Sequence, residues 1–387
     1  MQYIFSVYLI YNVYPVLAEQ MTIKQDVLFS YLIPALLSLF AGVFAFNKDI
    51  KISNIFSKID RKQAVDLGNL LIGVSLFFDV LPLPGIKSIV SFTYYLKYIG
   101  VMCFLFAPSG RNYSVIAIIY LLLVREALQG GIFIDFFMWS TYLFLIVSLR
   151  YEFSLRLRAL FIVLAVPLLI LIQSVKYEYR KATWSGKRET GVELITELAV
   201  EKEKQRDDPF NQSEGVVRTV GRLNQGWHLG MVLRWVPSHE SFSNGEDFLG
   251  DVGAAILPRF FFPNKKMGGS QDKFYKYTGR KLTKTTSMTI GVLGDFYINF
   301  GREGSFLALF IFGAVVSRLV YFFIRKYVLP DPINVIWIPF LFSYLVRANN
   351  DFYFVFNNLS KGFLIFIAIN YLRKQLWPNR PINYQRQ

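Results

Sequence analysis

Cysteine is nearly absent: Cys103 is the one thiol in 387 residues, and it lies inside an apolar segment. That excludes an intramolecular disulfide, a thiolate metal cluster and CxxC redox chemistry. Histidine is almost as scarce. His228 and His239 stand eleven residues apart with no HExxH and no paired cysteines, so no zinc site is expected. A GxGxxG turn after a strand, a P-loop, an Asp-x-Asp pair and a G-x-S-x-G elbow are all missing, which argues against a dinucleotide, a nucleoside triphosphate, a metal-held nucleotide sugar and a serine nucleophile. No cofactor is expected. No internal repeat is visible, which weakens an inverted-repeat transporter, and there is no low-complexity tract.

Charged residues are few, 18% of the chain, whereas 53% is hydrophobic and 17% aromatic. Apolar runs long enough to cross a bilayer recur throughout, and they predict an all-α polytopic membrane protein. Ten spans are expected, at about 2–18, 27–46, 65–81, 88–107, 113–128, 132–148, 159–175, 304–324, 333–347 and 352–372. The N-terminus lacks the basic region of a cleaved signal peptide and reads as the first, short span. The formal charge of +15 could suggest nucleic acid, but most cations flank apolar runs, where topology and lipid headgroups explain them.

The connecting segments alternate in charge. One set carries Lys48, Lys51, Lys58, Arg61, Lys62, Arg111, Arg150, Arg156, Arg158, Arg325, Lys326, Arg373, Lys374, Arg380 and Arg386; the short loops of the other set carry Lys24, Lys87 and Arg125. The positive-inside rule therefore places both termini in the cytoplasm. The expected organisation is seven helices over 1–175, a large extracytoplasmic loop over 176–303, three helices over 304–372 and a cytoplasmic tail over 373–387.

That loop is itself basic. Residues 176–287 hold 19 Lys/Arg against 14 Asp/Glu, on the side where topology predicts no surplus. In "TGVELITELAVEKEKQRDDP", Val192, Ile195, Leu198 and Ala199 line one side of a helix, read as a solvated amphipathic cap. In "EGVVRTVGRLNQGWHLGMVLRWVP", Val216, Val220, Leu223 and Trp227 form one face, while Glu214, Arg218 and Arg222 form the other. "MTIGVLGDFYINFGREG" reads as an interfacial or re-entrant entry to the eighth span, tolerable only when buried against protein or lining a cavity.

Arginine forks bind phosphate oxygens bidentately and lysines add point charge. Arg218, Arg222, Arg259, Lys265 and Lys266 therefore suit a lipid pyrophosphate, and aromatic faces suit sugar rings or an isoprenoid chain. "RFFFPNKK" supplies both contacts, or else anchors the loop in the headgroup zone. His239, in "VPSHESFSNGED", can take a proton from an acceptor hydroxyl, or can be an idle loop residue. His228 beside Trp227 can bind substrate or simply pack. Arg347 in "SYLVRANNDFYF" and Arg302 in "GDFYINFGRE" lie at span mouths facing the loop's compartment; local pairing of Asp295 with Arg302 is the alternative. Lys97 and Lys361 fall within apolar segments, where a transporter would use them.

"TSMTIGVLGDFYINFGREGSFLALFIFG", after a long outer loop carrying "LPRFFFPNKK", resembles the C-terminal half of the Wzy-type O-antigen and exopolysaccharide repeat-unit polymerases. The likeness covers residues 215–325 in motif detail and the whole chain in layout. Arg-x10-Gly spacings typical of that family occur at Arg180–Gly191, Arg234–Gly245 and Arg280–Gly291. The resemblance implies a GT-C-like fold in the bacterial inner membrane with its active face periplasmic. It implies a metal-independent glycosyltransferase that joins undecaprenyl-pyrophosphate-linked oligosaccharides, donor and acceptor alike, with a chain-length regulator and a flippase as partners and no nucleic acid. On that mechanism His239, Arg259 and Arg234 are expected to be catalytic. Arg218, Arg222, His228, Lys265, Lys266, Arg280, Arg302 and Arg347 are expected to bind substrate. The related O-antigen ligases share layout and donor; a polysaccharide or lipid transporter is the alternative from another class.

Overall fold

The computed structural model describes residues 3–46, 55–81, 87–186, 190–204, 214–256, 271–283 and 286–377. Regular structure among them is helical throughout. In chain order the helices are α1 Phe5–Val13, α2 Pro15–Ala18, α3 Gln25–Ala45, α4 Arg61–Val80, α5 Lys87–Thr93, α6 Leu96–Phe104, α7 Gly110–Gly130, α8 Ile134–Arg150 and α9 Leu155–Trp184. They continue with α10 Val192–Lys204, α11 Glu214–Leu223, α12 Gly226–Trp235, α13 Glu246–Ile256, α14 Gln271–Thr278, α15 Gly291–Phe323, α16 Ile338–Phe342 and α17 Phe352–Leu376. Six segments are long and apolar enough to cross a bilayer: α3, α4, α7, α9, α15 with its continuation to Val328, and α17. The chain is an α-helical, multi-pass membrane protein. The most apolar stretch of α9 has mean hydropathy 2.5 yet is only 6% buried, the pattern of a helix whose apolar surface lipid covers.

The other four expected spans take shorter forms. The first breaks at Tyr14, between the end of α1 at Val13 and Pro15, which starts α2. The fourth is divided between α5 and α6, α8 has 17 residues, and the ninth is a 3-10 turn, Pro332–Trp337, leading into the five-residue α16. Capping explains where several long helices begin: Ser109, Ser154 and Asp351 accept hydrogen bonds from the backbone N–H three residues on, at 3.2, 3.4 and 2.9 Å.

Two compact units share the chain. The first comprises residues 1–59, 73–96 and 224–387; the second comprises 60–72 and 97–223. The hydrophilic segment predicted as one loop is therefore divided near residue 223. In the second unit, α10 buries Leu194, Ile195 and Leu198 in one cluster with Ile172, Val175 and Tyr179 of α9. The amphipathic helix is thus a packed element rather than a solvated cap, and Val192, expected on its apolar face, is exposed. The helix expected to run on through Trp227 instead stops at Leu223. Asn224 Oδ1 accepts the Trp227 N–H at 3.1 Å and starts α12 afresh.

In the first unit, α3 and α15 pack at backbone contact. A Cβ on Gly42 would lie 2.0 Å from the Phe310 carbonyl oxygen, and one on Gly313 would lie 2.3 Å from that of Leu39. Lipid gives little driving force for helix association, so this close packing carries the pairing. Gly313→Leu is expected to cost about 3 kcal/mol by forcing the helices apart, read as a lowered thermal midpoint in detergent.

α15 is two helices joined at Gly301, whose φ of +68° and ψ of −171° only glycine adopts readily. Residues 291–300 form a short helix that buries Leu293, Asp295, Phe296, Tyr297, Ile298 and Asn299, and the long apolar helix follows. This short helix, the segment read as interfacial or re-entrant, is buried against protein, which is the condition under which such a segment is tolerated.

Candidate functional site

The helix from 291 to 300 organises the polar half of the first unit. Its Asn299 Oδ1 accepts from Ser243 Oγ at 2.6 Å and from the Phe248 N–H at 2.9 Å, and the Ser243 N–H donates to the Ile298 carbonyl at 3.0 Å. Tyr297 donates to the Val236 carbonyl at 3.2 Å. The loop between α12 and α13, which carries His239, is therefore pinned at both ends.

Asp295 anchors the opposite wall. Its Oδ1 lies 2.8 Å from Lys273 Nζ on α14, and its Oδ2 accepts the Phe352 N–H of α17 at 2.9 Å. Lys273 is also 2.8 Å from Asp251 of α13. Burial works against the ammonium charge, but Asp295, Asp251 and Asp351 together hold the Lys273 pKa above its ordinary value. Burial, then Asp295, raises Asp351 to about 7, against the pull of Lys273. One buried ammonium thus touches two carboxylates and acts on a third, and burial with Asp295 pushes Asp351 towards its protonated form.

A group whose pKa rises on folding stabilises most when protonated in both states, and that contribution fades as pH climbs through its folded value. Between about pH 4 and pH 7, where the folded protein holds a proton that the unfolded chain has released, the cluster is expected to lose up to about 1.4 kcal/mol per pH unit through Asp351, and the loss is complete above about pH 7. Asp351→Asn keeps the helix cap and removes the charge. Thermal midpoints from about pH 4.5 to 7.5 should fall less steeply for this variant than for the native protein.

The two walls enclose a cleft of about 610 Å³, lined by Thr22, Met231, Arg234, Trp235, His239, Tyr275, Thr278, Gly279, Arg280 and Lys281. One wall is the end of α12. Leu229, Met231 and Val232 are buried in the core, which leaves Arg234 exposed in the last turn, where the helix dipole favours a cation. The His239 N–H donates to the Trp235 carbonyl at 2.8 Å, folding the chain back so that the imidazole stacks on the Trp235 ring at 4.1 Å and 10°. The other wall is α14 and its exit. A Cβ on Gly279 would strike the Trp235 ring at 2.5 Å, so glycine there, at φ +67°, lets the chain pass the indole and deliver Arg280 and Lys281.

Aromatic rings set the cations. The Arg280 guanidinium lies 4.7 Å from the Trp227 ring and the Lys281 ammonium 5.5 Å from that of Tyr275. None of the ten lining residues carries a carboxylate. Nearby acids are engaged elsewhere: Asp247 accepts from the Tyr277 hydroxyl, and Lys276 lies 3.8 Å from Glu240 and 3.9 Å from Asp247. The cleft therefore keeps its positive charge.

Ser238 bears on which nitrogen of His239 is free. Its hydroxyl lies 2.9 Å from the Arg234 carbonyl, 3.2 Å from that of Trp235 and 2.9 Å from His239 Nδ1. Where its proton goes to a carbonyl, Ser238 accepts from Nδ1–H, and the lone pair lies on Nε2.

Of the site residues expected from sequence, Arg234, His239 and Arg280 meet in this cleft. His228 does not line it. It sits between Trp227 and Phe274, both ring nitrogens are buried without a hydrogen-bond partner among the described residues, and burial followed by the Arg280 charge lowers its pKa to about 4. Burial favours its neutral form, and the position fits the packing alternative. Arg302 donates to the Ser30 carbonyl at 2.8 Å, Arg347 lies over the Tyr344 ring at 4.5 Å, and neither lines the cleft. Asp295 pairs with Lys273 rather than with Arg302. Arg218 and Arg222 stand on α11 in the second unit, and Arg259, Lys265 and Lys266 fall outside the described residues.

Sequence reasoning missed Trp235, Tyr275, Lys281 and the Lys273 cluster. Trp235 and Lys281 were legible as neighbours of Arg234 and Arg280 in "LRWVP" and "GRKL"; the cluster joins four distant segments and left no local signal.

Fold and cleft together define a multi-pass helical membrane protein with a cationic, aromatic-lined recess. The chain belongs to the family described as a domain of unknown function, DUF8712, whose model matches residues 18–376. No curated protein and no solved structure matches it.

Proposed function

We propose that this protein is a metal-independent glycosyltransferase of the bacterial inner membrane that joins undecaprenyl-pyrophosphate-linked oligosaccharide units. The reading takes the ten-span, GT-C-like layout with cytoplasmic termini and a periplasmic active face from the charge pattern and from the resemblance to Wzy-type polymerases. The observation that carries it is the cleft, where Arg234, Arg280 and Lys281 stand without a carboxylate beside a histidine stacked on tryptophan. In the reaction, an acceptor sugar hydroxyl attacks the donor's anomeric carbon and its proton passes to Nε2 of His239. The bond from that carbon to the pyrophosphate oxygen breaks, and the charge left on the lipid pyrophosphate is held by the arginines and the lysine.

The test is to supply purified protein in nanodiscs with lipid-pyrophosphate oligosaccharide from its own pathway, without metal or nucleotide, and to resolve products by gel. A ladder of lengthening lipid-linked glycans is expected, reduced about 10²-fold or more in His239→Ala. Transfer only after adding lipid A core would make it a ligase. No transfer to either acceptor would leave a transporter, and the decisive variants would then be those of Lys97 and Lys361.

A further inference from the structure

The second unit gathers cations of its own. Lys176 and Arg180 stand one turn apart at the polar end of α9, beyond its apolar run, and α11 packs on that helix with Arg222 close enough to act electrostatically on both. Among the described residues none of the three forms an ion pair. The carboxylate within that turn, Glu178, lies 3.5 Å from Lys202 of α10, whose ammonium also donates to the Ser174 carbonyl at 2.8 Å.

Arg180 is held in place before any ligand arrives. Its Nε donates to the Gly131 carbonyl at 2.8 Å and its guanidinium lies 5.3 Å from the Trp184 ring, while the Trp184 indole donates to the Gly130 carbonyl at 3.1 Å. Gly131 is in the left-handed region at φ +61°, and a Cβ there would come within 3.0 Å of the Arg180 side chain. The turn after α7 is thus shaped to receive Arg180, and the two terminal guanidinium nitrogens remain for something else. Lys176 and Arg180, both partly buried, repel each other and the exposed Arg222, and the fold tolerates that arrangement best with an anion among them.

We propose that Lys176, Arg180 and Arg222 form an oxyanion site for a phosphate group, separate from the cleft of the first unit and independent of the glycosyltransferase reading. A doubly charged tetrahedral oxyanion matches the cluster better than a carboxylate does, because it offsets more of the charge and presents oxygens to two guanidinium forks and an ammonium at once. Either a free phosphate compound or a phospholipid headgroup supplies that chemistry.

The experiment uses full-length protein carrying Arg280→Ala, so that the cleft does not account for the signal. Inorganic pyrophosphate is titrated by thermal shift against sodium chloride of equal ionic strength, and phosphatidylglycerol retention is followed by native mass spectrometry against a phosphatidylcholine control. Both are repeated with Arg222→Ala, an exposed position, and separately with Lys176→Gln. Stabilisation by pyrophosphate that weakens about tenfold or more in both variants establishes the site with a free phosphate as ligand. Selective phosphatidylglycerol retention that both variants lose, without a pyrophosphate effect, establishes it with the headgroup as ligand. No phosphate-specific response, or one that both variants preserve, overturns the proposal.

Discussion

Lys273→Met is expected to be the most damaging single change outside the membrane-spanning helices, costing about 3–5 kcal/mol and leaving little folded protein in detergent. The variant removes the one ammonium that Asp251 and Asp295 both touch at 2.8 Å, and leaves Asp295 almost fully buried with no counter-charge. The effect should spread. Asp295 also holds the start of α17 through the Phe352 N–H, and α14 leads directly into Arg280 and Lys281. Size-exclusion profiles and thermal midpoints measure the loss. Combining Lys273→Met with Asp251→Asn and Asp295→Asn should restore most of it, because neutral partners of similar shape remove the stranded charge. A single variant that folds like the native protein would show that water reaches the cluster and screens it.

That cluster marks the limit of what the chain announces about itself. The long apolar helices were legible because hydropathy and length are local: α3, α7, α9 and α17 fall close to where composition puts them. The short helix before Gly301 was legible for a similar reason, since glycines and a carboxylate interrupt an apolar run too long for one span. Helix interruptions caused by three-dimensional packing were not, and neither was the break at Asn224, where one side-chain cap outweighs a continuous amphipathic pattern. In the site, Arg234, His239 and Arg280 could be named because cations and histidines are rare enough outside the spans to stand out. Their meeting depends on Asp295 and Asn299 fastening two distant segments to one buried helix, which no spacing along the chain encodes. Charge alone did not show that Arg302, Arg347 and Arg222 do not line that cleft, because only the fold supplies their neighbours.

Arg280→Ala is expected to reduce glycan transfer about 10²–10³-fold while leaving the thermal midpoint close to native. Arg280 rests on the face of Trp227 at the end of an exposed turn, and no ion pair involving it is formed among the described residues. Its removal therefore strands no partner. On the proposed mechanism its charge matters most as the pyrophosphate leaves, so the loss should appear in kcat more than in KM. Arg280→Lys keeps the charge but gives up the planar fork and its stacking on Trp227, and should recover only part of the rate. Replacing Trp227 by leucine should then mimic part of the defect, because the guanidinium loses the surface that orients it. A transporter would answer differently. Its flux would respond to Arg280→Ala through affinity alone, with saturating substrate restoring the native rate. The split between kcat and KM at this one arginine therefore separates chemistry at the cleft from passage through the protein.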